Sequence, residues 1–154
     1  MNKIFLQIVK ELNNKLNLEP ILSGSFGLNK VIGSEFNCSD IDFLVPEEYI
    51  RKRWSELSKV MIDLDFEMID LEEHEFTKGR ARVAFARQED LDQFAGIKRG
   101  QIKQIEEFVA RFFLFTAQQF SALYKASLKD GYRQKKKQGS DNRKIKKILD
   151  YLKQ

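Results

Sequence analysis

The sequence predicts an α+β fold, a mixed sheet packed on helices with a helical C-terminal tail. Three observations lead there. The apparent elements run helix, strand, strand, helix, hairpin and then helices, rather than alternating strand with helix. The 154 residues include 13 Phe but only 8 Gly and 2 Pro, enough apolar material for one core. The single cysteine, Cys38, rules out an intrachain disulfide scaffold. We expect a single domain over 1–154, with a core over about 1–115 and a tail over about 116–154.

Ile4, Phe5, Ile8, Val9, Leu12 and Leu16 recur at helical spacing, which predicts an amphipathic helix over 3–16. Pro20 ends it. Ile21–Ser23 reads as a brief strand closed by Gly24, and Ile41–Val45 as a second strand stopped by Pro46. Pro46-Glu47-Glu48 suits a helix start, and Ile50, Trp54, Leu57 and Met61 form its apolar face. Phe66–Phe76 and Arg80–Ala86 read as strands joined at Thr77-Lys78-Gly79. The polar stretch 89–105 has no clear period. Phe108–Phe115 is a strand or a buried helix start, and its aromatics read as core. Thr116-Ala117-Gln118-Gln119 is a capping box opening a helix with Phe120, Leu123, Tyr124 and Leu128, ended by Gly131. Arg133–Ser140 reads as a basic loop, before a last helix carrying Ile145, Ile148, Leu149 and Leu152.

Charge is uneven. Residues 125–154 hold eleven Lys or Arg against three Asp, whereas 1–124 hold sixteen basic and twenty acidic residues. The basic tail is either a phosphate- or RNA-facing patch or a solvated helix face. No apolar run approaches the roughly 18–20 residues of a membrane helix. The N-terminus lacks a signal-peptide pattern, so we expect a cytoplasmic protein without a membrane partner.

The chemistry concentrates in 22–45. Asp40 and Asp42 stand at i and i+2 on a strand and therefore share a face. Two neighbouring carboxylates repel unless a cation lies between them, and Mg²⁺ takes oxygen ligands while keeping sites for phosphate oxygens. Ile41, Phe43 and Val45 point the other way, to the core. The Gly24-Ser25 turn offers backbone N–H groups and a small hydroxyl that suit a phosphate. Gly24, Gly27 and Lys30 lack the Gly-Lys-Ser/Thr ending of a P-loop. His74 among acids reads as a surface histidine, and Cys38 has no basic setting to make it a nucleophile.

The strand, the Gly24-Ser25 turn, a loop over Phe26–Ser39, and Asp40-Ile41-Asp42-Phe43 together resemble the signature of the nucleotidyltransferase superfamily, which includes polymerase β and the small antibiotic nucleotidyltransferases. The tail, from Leu123-Tyr124-Lys125 through Arg133 and Asp141 to Ile148-Leu149, is similar to that of lincosamide- and aminoglycoside-type members. The resemblance implies Mg²⁺-dependent transfer of a nucleoside monophosphate from an NTP to the hydroxyl of an unidentified small molecule or protein. By that likeness Asp40 and Asp42 are catalytic metal ligands, up to two Mg²⁺ ions bind, and Gly24 and Ser25 touch the triphosphate. Lys125, off the Leu123–Leu128 stripe, is placed to reach it. Active members take a third carboxylate from a later strand. The equivalent strand, Arg80–Ala86, has no acid, leaving Glu67, Asp70, Glu73 or Glu75 as substitutes. The alternative is a catalytically inactive member binding nucleotide, RNA or a protein partner.

Overall fold

The computed structural model describes residues 1–33 and 38–154, and of 131–138 the backbone only. Helix α1 (Asn2–Leu16) is followed by β1 (Ile21–Ser23), α2 (Gly24–Ile32), β2 (Asp40–Val45), α3 (Glu47–Ile50) and α4 (Trp54–Asp63). Then come β3 (Glu67–Asp70), β4 (Glu75–Lys78), β5 (Ala81–Arg87), α5 (Leu91–Ala95), β6 (Lys103–Glu107), β7 (Ala110–Leu114), α6 (Ala117–Lys129) and α7 (Gly131–Leu152). The strands form one mixed sheet in the order β3-β4-β5-β2-β1-β7-β6. Two pairs are parallel, β2 with β5 and β1 with β7; the others are antiparallel. The fold is α+β, as expected. Among the described residues no helix is long and apolar enough to cross a membrane.

Both sheet faces carry apolar packing. On one face Phe5, Ile8 and Leu12 of α1 and Leu57 and Met61 of α4 meet Ile41, Phe43 and Val45 of β2 and Val83 and Phe85 of β5. Phe43 lies between two rings, 5.8 Å from Phe5 and 5.5 Å from Phe85, both nearly parallel to it. Asn13 is buried on the same helix. Its Nδ2 donates to the carbonyls of Leu18 and Arg111, and its Oδ1 accepts from the Arg111 N–H, which fixes the end of α1 to β7. On the opposite face Ile21, Leu28, Phe115, Phe120, Tyr124 and Ile148 form a second cluster. The tail is therefore part of the core.

Several elements differ from the sequence expectation. The loop expected over Phe26–Ser39 begins as helix α2, because Leu28, Val31 and Ile32 pack into the second cluster. Ser34–Asn37 lie outside the described residues. The helix expected from Glu47 to Met61 is broken between Ile50 and Trp54. The strand expected over Phe66–Phe76 is a hairpin of its own, β3 turning into β4, with His74 at φ 54°. The unassigned stretch 89–105 holds α5 and most of β6. Helix α6 ends at Lys129, and Gly131 opens α7 instead of ending α6. The expected basic loop Arg133–Ser140 is helical backbone within α7.

Phe108, expected in the core, is 75% exposed. It forms the two-residue β6–β7 turn with Val109, both at positive φ, 46° and 61°. That turn geometry favours Asn-Gly, and a β-branched residue is strained there. Val109→Gly is expected to raise stability by about 1 kcal/mol, read as a higher urea midpoint at unchanged slope; a lower midpoint would show that the turn is not strained.

Candidate functional site

Strand β2 alternates as its sequence requires. Ile41, Phe43 and Val45 are buried, while Asp40 is exposed and Asp42 half-buried on the other face. Sheet register then assembles a row. Ser23 of β1 pairs with Asp42, Asp42 with Ala84 of β5, and Ala84 with Glu75 of β4. Paired residues project from the same face. A second row sets Asp40 beside Arg82 and Arg82 beside Thr77. Arg82 Nε lies 3.4 Å from Glu75 Oε2, linking the two rows.

The cavity above these rows has a volume of about 480 Å³, within the range typical of small-molecule sites. Its floor includes Ser23, Gly24, Asp40, Asp42, Ala84 and Glu75, with Glu73 at one side. Leu123, Tyr124 and Ser127 of α6 and Phe94 of α5 form the facing wall. The cavity is thus acidic on the sheet side and largely apolar on the helix side.

Gly24 makes the tightest approach. It turns the chain from β1 into α2 with φ +66°, and a Cβ built there would fall 2.2 Å from Asp42 Oδ2. Only glycine fits both conditions. Ser23, the residue before α2, makes no side-chain cap. The first N–H groups of a helix have no partner within it, so this corner sets backbone amides beside the Asp42 carboxylate. Ser39 Oγ donates to Asp40 Oδ1 at 3.1 Å, and the Arg82 N–H donates to the Ser39 carbonyl, which fixes the start of β2.

Cys38 stands in the same electrostatic neighbourhood. Burial pushes its thiol above the ordinary value, and the charges of Asp40 and Asp42 add to that; Lys144 and a hydrogen bond from Asn29 Nδ2 oppose it. A thiol held protonated in this way is a poor nucleophile, in line with the sequence reading. His74 is half-buried, its ring 4.7 Å from that of Trp54, so it is a packing residue at the sheet edge.

The structure brings together Gly24, Asp40 and Asp42, with Ser25 next in the chain at the start of α2. It does not bring Lys125 to them. Lys125 is exposed on α6, one residue beyond the cavity-lining Tyr124. Among the described residues, Arg82 is the cation within the rows, and Lys144 of α7 stands with its Nζ 5.0 Å from the centre of the ring of the cavity-lining Tyr124. Sequence reasoning missed it because the region before it read as a loop, which left the face of α7 undefined. One turn earlier Asp141, 1% exposed, accepts from Ser127 Oγ at 2.7 Å and ties α7 to α6. The side chains of Arg133 and Lys135–Lys137, expected near a triphosphate or RNA, lie outside the described residues. Among the described residues no three His, Cys, Asp or Glu side chains cluster closely enough to hold a metal by themselves.

The chain is 39% identical over 148 residues to the uncharacterized protein YnaI of Bacillus subtilis strain 168, covering 96% of this chain and 94% of YnaI. It belongs to the YnaI family. No protein-family model matches it. The match to YnaI spans nearly the whole of both chains, so the likeness in sequence is not confined to a shared fragment.

Proposed function

We propose that this YnaI-family protein is a nucleotidyltransferase that moves a nucleoside monophosphate from an NTP to a hydroxyl acceptor. The observation that carries the reading is the Gly24 corner pressed against Asp42, with Asp40 on the same open sheet face above the cavity. A helix start facing a carboxylate pair is what a metal-bound triphosphate needs: amides for phosphate oxygens, acids for the metal.

Asp40 and Asp42 are the residues that would hold Mg²⁺. Two carboxylates are too few for a closed site, and they fit a cation whose remaining ligands are phosphate oxygens and water. When bound, that ion neutralises charge on the triphosphate and makes the α-phosphorus more electrophilic. The Gly24-Ser25 corner binds the outer phosphates. The apolar helix wall, with Leu123 and Phe94, receives the nucleoside. Glu75 is the acid best placed to take the acceptor proton. It shares the Asp42 row two strands away, about 10 Å at the backbone, and Ala84 between them puts only a methyl group in the lane. The acceptor oxygen bonds to the α-phosphorus, the bond to the β-phosphate bridge breaks, pyrophosphate leaves, and the hydroxyl proton passes to Glu75. Arg82 orients Glu75.

One observation favours a second reading. With Ala84 beside Asp42 and no three-acid cluster among the described residues, the fold could bind nucleotide without transferring it. Calorimetric titration with NTP and Mg²⁺ tests both. Wild type is expected to bind and Asp40→Asn/Asp42→Asn to lose binding; equal heats would defeat the proposal. Pyrophosphate release from the bound NTP, lost in Glu75→Gln, separates transfer from binding alone.

A further inference from the structure

We infer that the solvent face of α7, extended by the exposed side of α6, is a binding surface for single-stranded RNA. Arg143, Lys146 and Lys147 are exposed and stand at i, i+3 and i+4, on one helix face. They point away from the stripe of Asp141, Ile145 and Ile148 that packs towards α6. Lys153 continues the row, which runs about 15 Å along the helix. Lys125 and Lys129 add exposed cations on α6.

Clustering sets these residues apart from the rest of the protein. Elsewhere exposed cations either find acids, as Lys15 does with Glu11, Arg51 with Glu47 and Lys59 with Asp63, or stand singly on different elements, as Lys3, Lys52, Arg80, Lys98 and Lys103 do. Lys125, Lys129, Arg143, Lys146 and Lys147 have no acid partner among the described residues. Of the three acids in 125–154, Asp141 is buried and so gives no compensating surface charge. Asp130 and Asp90 stand beside Lys129 at one end, and exposed Asp150 lies near the other. The central Arg143–Lys147 turn has no acid of its own.

Two features favour RNA over other anions. A row of this length, turned from the cavity, exceeds the reach of one triphosphate and matches a chain of phosphates. Tyr151, 39% exposed, follows Lys147 by one helical turn, and an aromatic next to cations is a stacking platform for an unpaired base. An anionic membrane would instead call for a wide apolar stripe at the surface, and here Ile145 and Ile148 are packed in the second cluster, which leaves only Leu149 and Leu152 of that stripe exposed. This surface does not require nucleotidyl transfer, so its test needs no NTP.

The test is fluorescence anisotropy of a labelled 20-nucleotide single-stranded RNA with the full chain over a range of KCl. Arg143→Gln/Lys146→Gln/Lys147→Gln is expected to weaken binding at least tenfold at 0.1 M salt and to lower the salt slope by about 2. Tyr151→Ala is expected to weaken binding several-fold with the slope unchanged. A control of equal charge change on other surfaces, Lys3→Gln/Lys52→Gln/Lys103→Gln, is expected to change affinity less than threefold. Circular dichroism confirms that each variant is folded. Equal losses in the two triple variants, equal affinity for duplex DNA, or binding to phosphatidylserine vesicles with none to RNA would each overturn the inference.

Discussion

Gly24→Ala is expected to remove Mg²⁺–NTP binding as completely as loss of the aspartates, and to lower stability at the same time. Two causes act together. The backbone at φ +66° costs a non-glycine residue about 1–2 kcal/mol. The new methyl also has to displace Asp42, whose Oδ2 lies 2.2 Å from where it would sit. Asp42 yields only by swinging its carboxylate away from the corner, and its Cβ, 3.2 Å from the added methyl, still crowds it. Gly33→Ala is the control. Gly33 has a similar φ, +68°, but a Cβ there meets nothing within 4 Å among the described residues. It should share the backbone cost and keep nucleotide binding. Urea midpoints and calorimetric titration of the two variants check this. Indistinguishable titrations would mean that the Gly24–Asp42 contact is not part of the binding site.

Phe43→Ala is expected to cost about 3–5 kcal/mol, enough to unfold much of the population of a protein of ordinary stability. Phe43 is 1% exposed and sits between Phe5 and Phe85, so its removal opens a gap joining α1 to β5. Rigid sheet neighbours cannot close over it, which places the loss at the upper end of such substitutions. Phe43→Leu keeps most of the volume and should cost well under half as much. The denaturation midpoint measures both. Because Phe43 follows Asp42 in the chain, the same variant is a sensitive check on coupling between core and site. Near-equal midpoints for the two variants would show that the core relaxes around the missing ring.

Where one physical signal decided an element, that element was legible in the sequence. Alternation alone put Ile41, Phe43 and Val45 inside and Asp40 and Asp42 outside. Helical spacing gave α1 to within a residue. The capping box at Thr116 is present, with Thr116 and Gln119 exchanging hydrogen bonds. What failed needed knowledge of a partner. Helix α2 starts at Gly24 and holds a second glycine, Gly27, which together read as a turn, while its Leu28 joins Phe115 and Phe120 in the second cluster. The basic segment of α7 looked like a loop because Gly131 read as a helix end; helix continuity through it leads to Ile145 and Ile148, which dock in the second cluster. Phe108 was misplaced because composition cannot separate a turn from the strand that follows it. Within the site, the Asp pair and Gly24 could be read from spacing. Lys144, and the place of Glu75 in the Asp42 row, could not, since both follow from register and helix packing across long sequence separations.

Strand β1 has β2 on one side, and on the other Ile21 and Leu22 pair in parallel with Phe113 and Leu114. That second partner is made most of a chain length later. On the ribosome β1 and β2 therefore emerge together, carrying the Gly24 corner and both aspartates, yet β1 keeps an open hydrogen-bonding edge until β7 is synthesised. Helix α6, which walls the cavity, comes later still. The site is consequently among the last regions to become native, and chains interrupted before residue 115 present a bare sheet edge flanked by apolar side chains. Such fragments should be targets for chaperones and proteases, whereas in the completed chain β7 covers that edge and α6 walls the cavity.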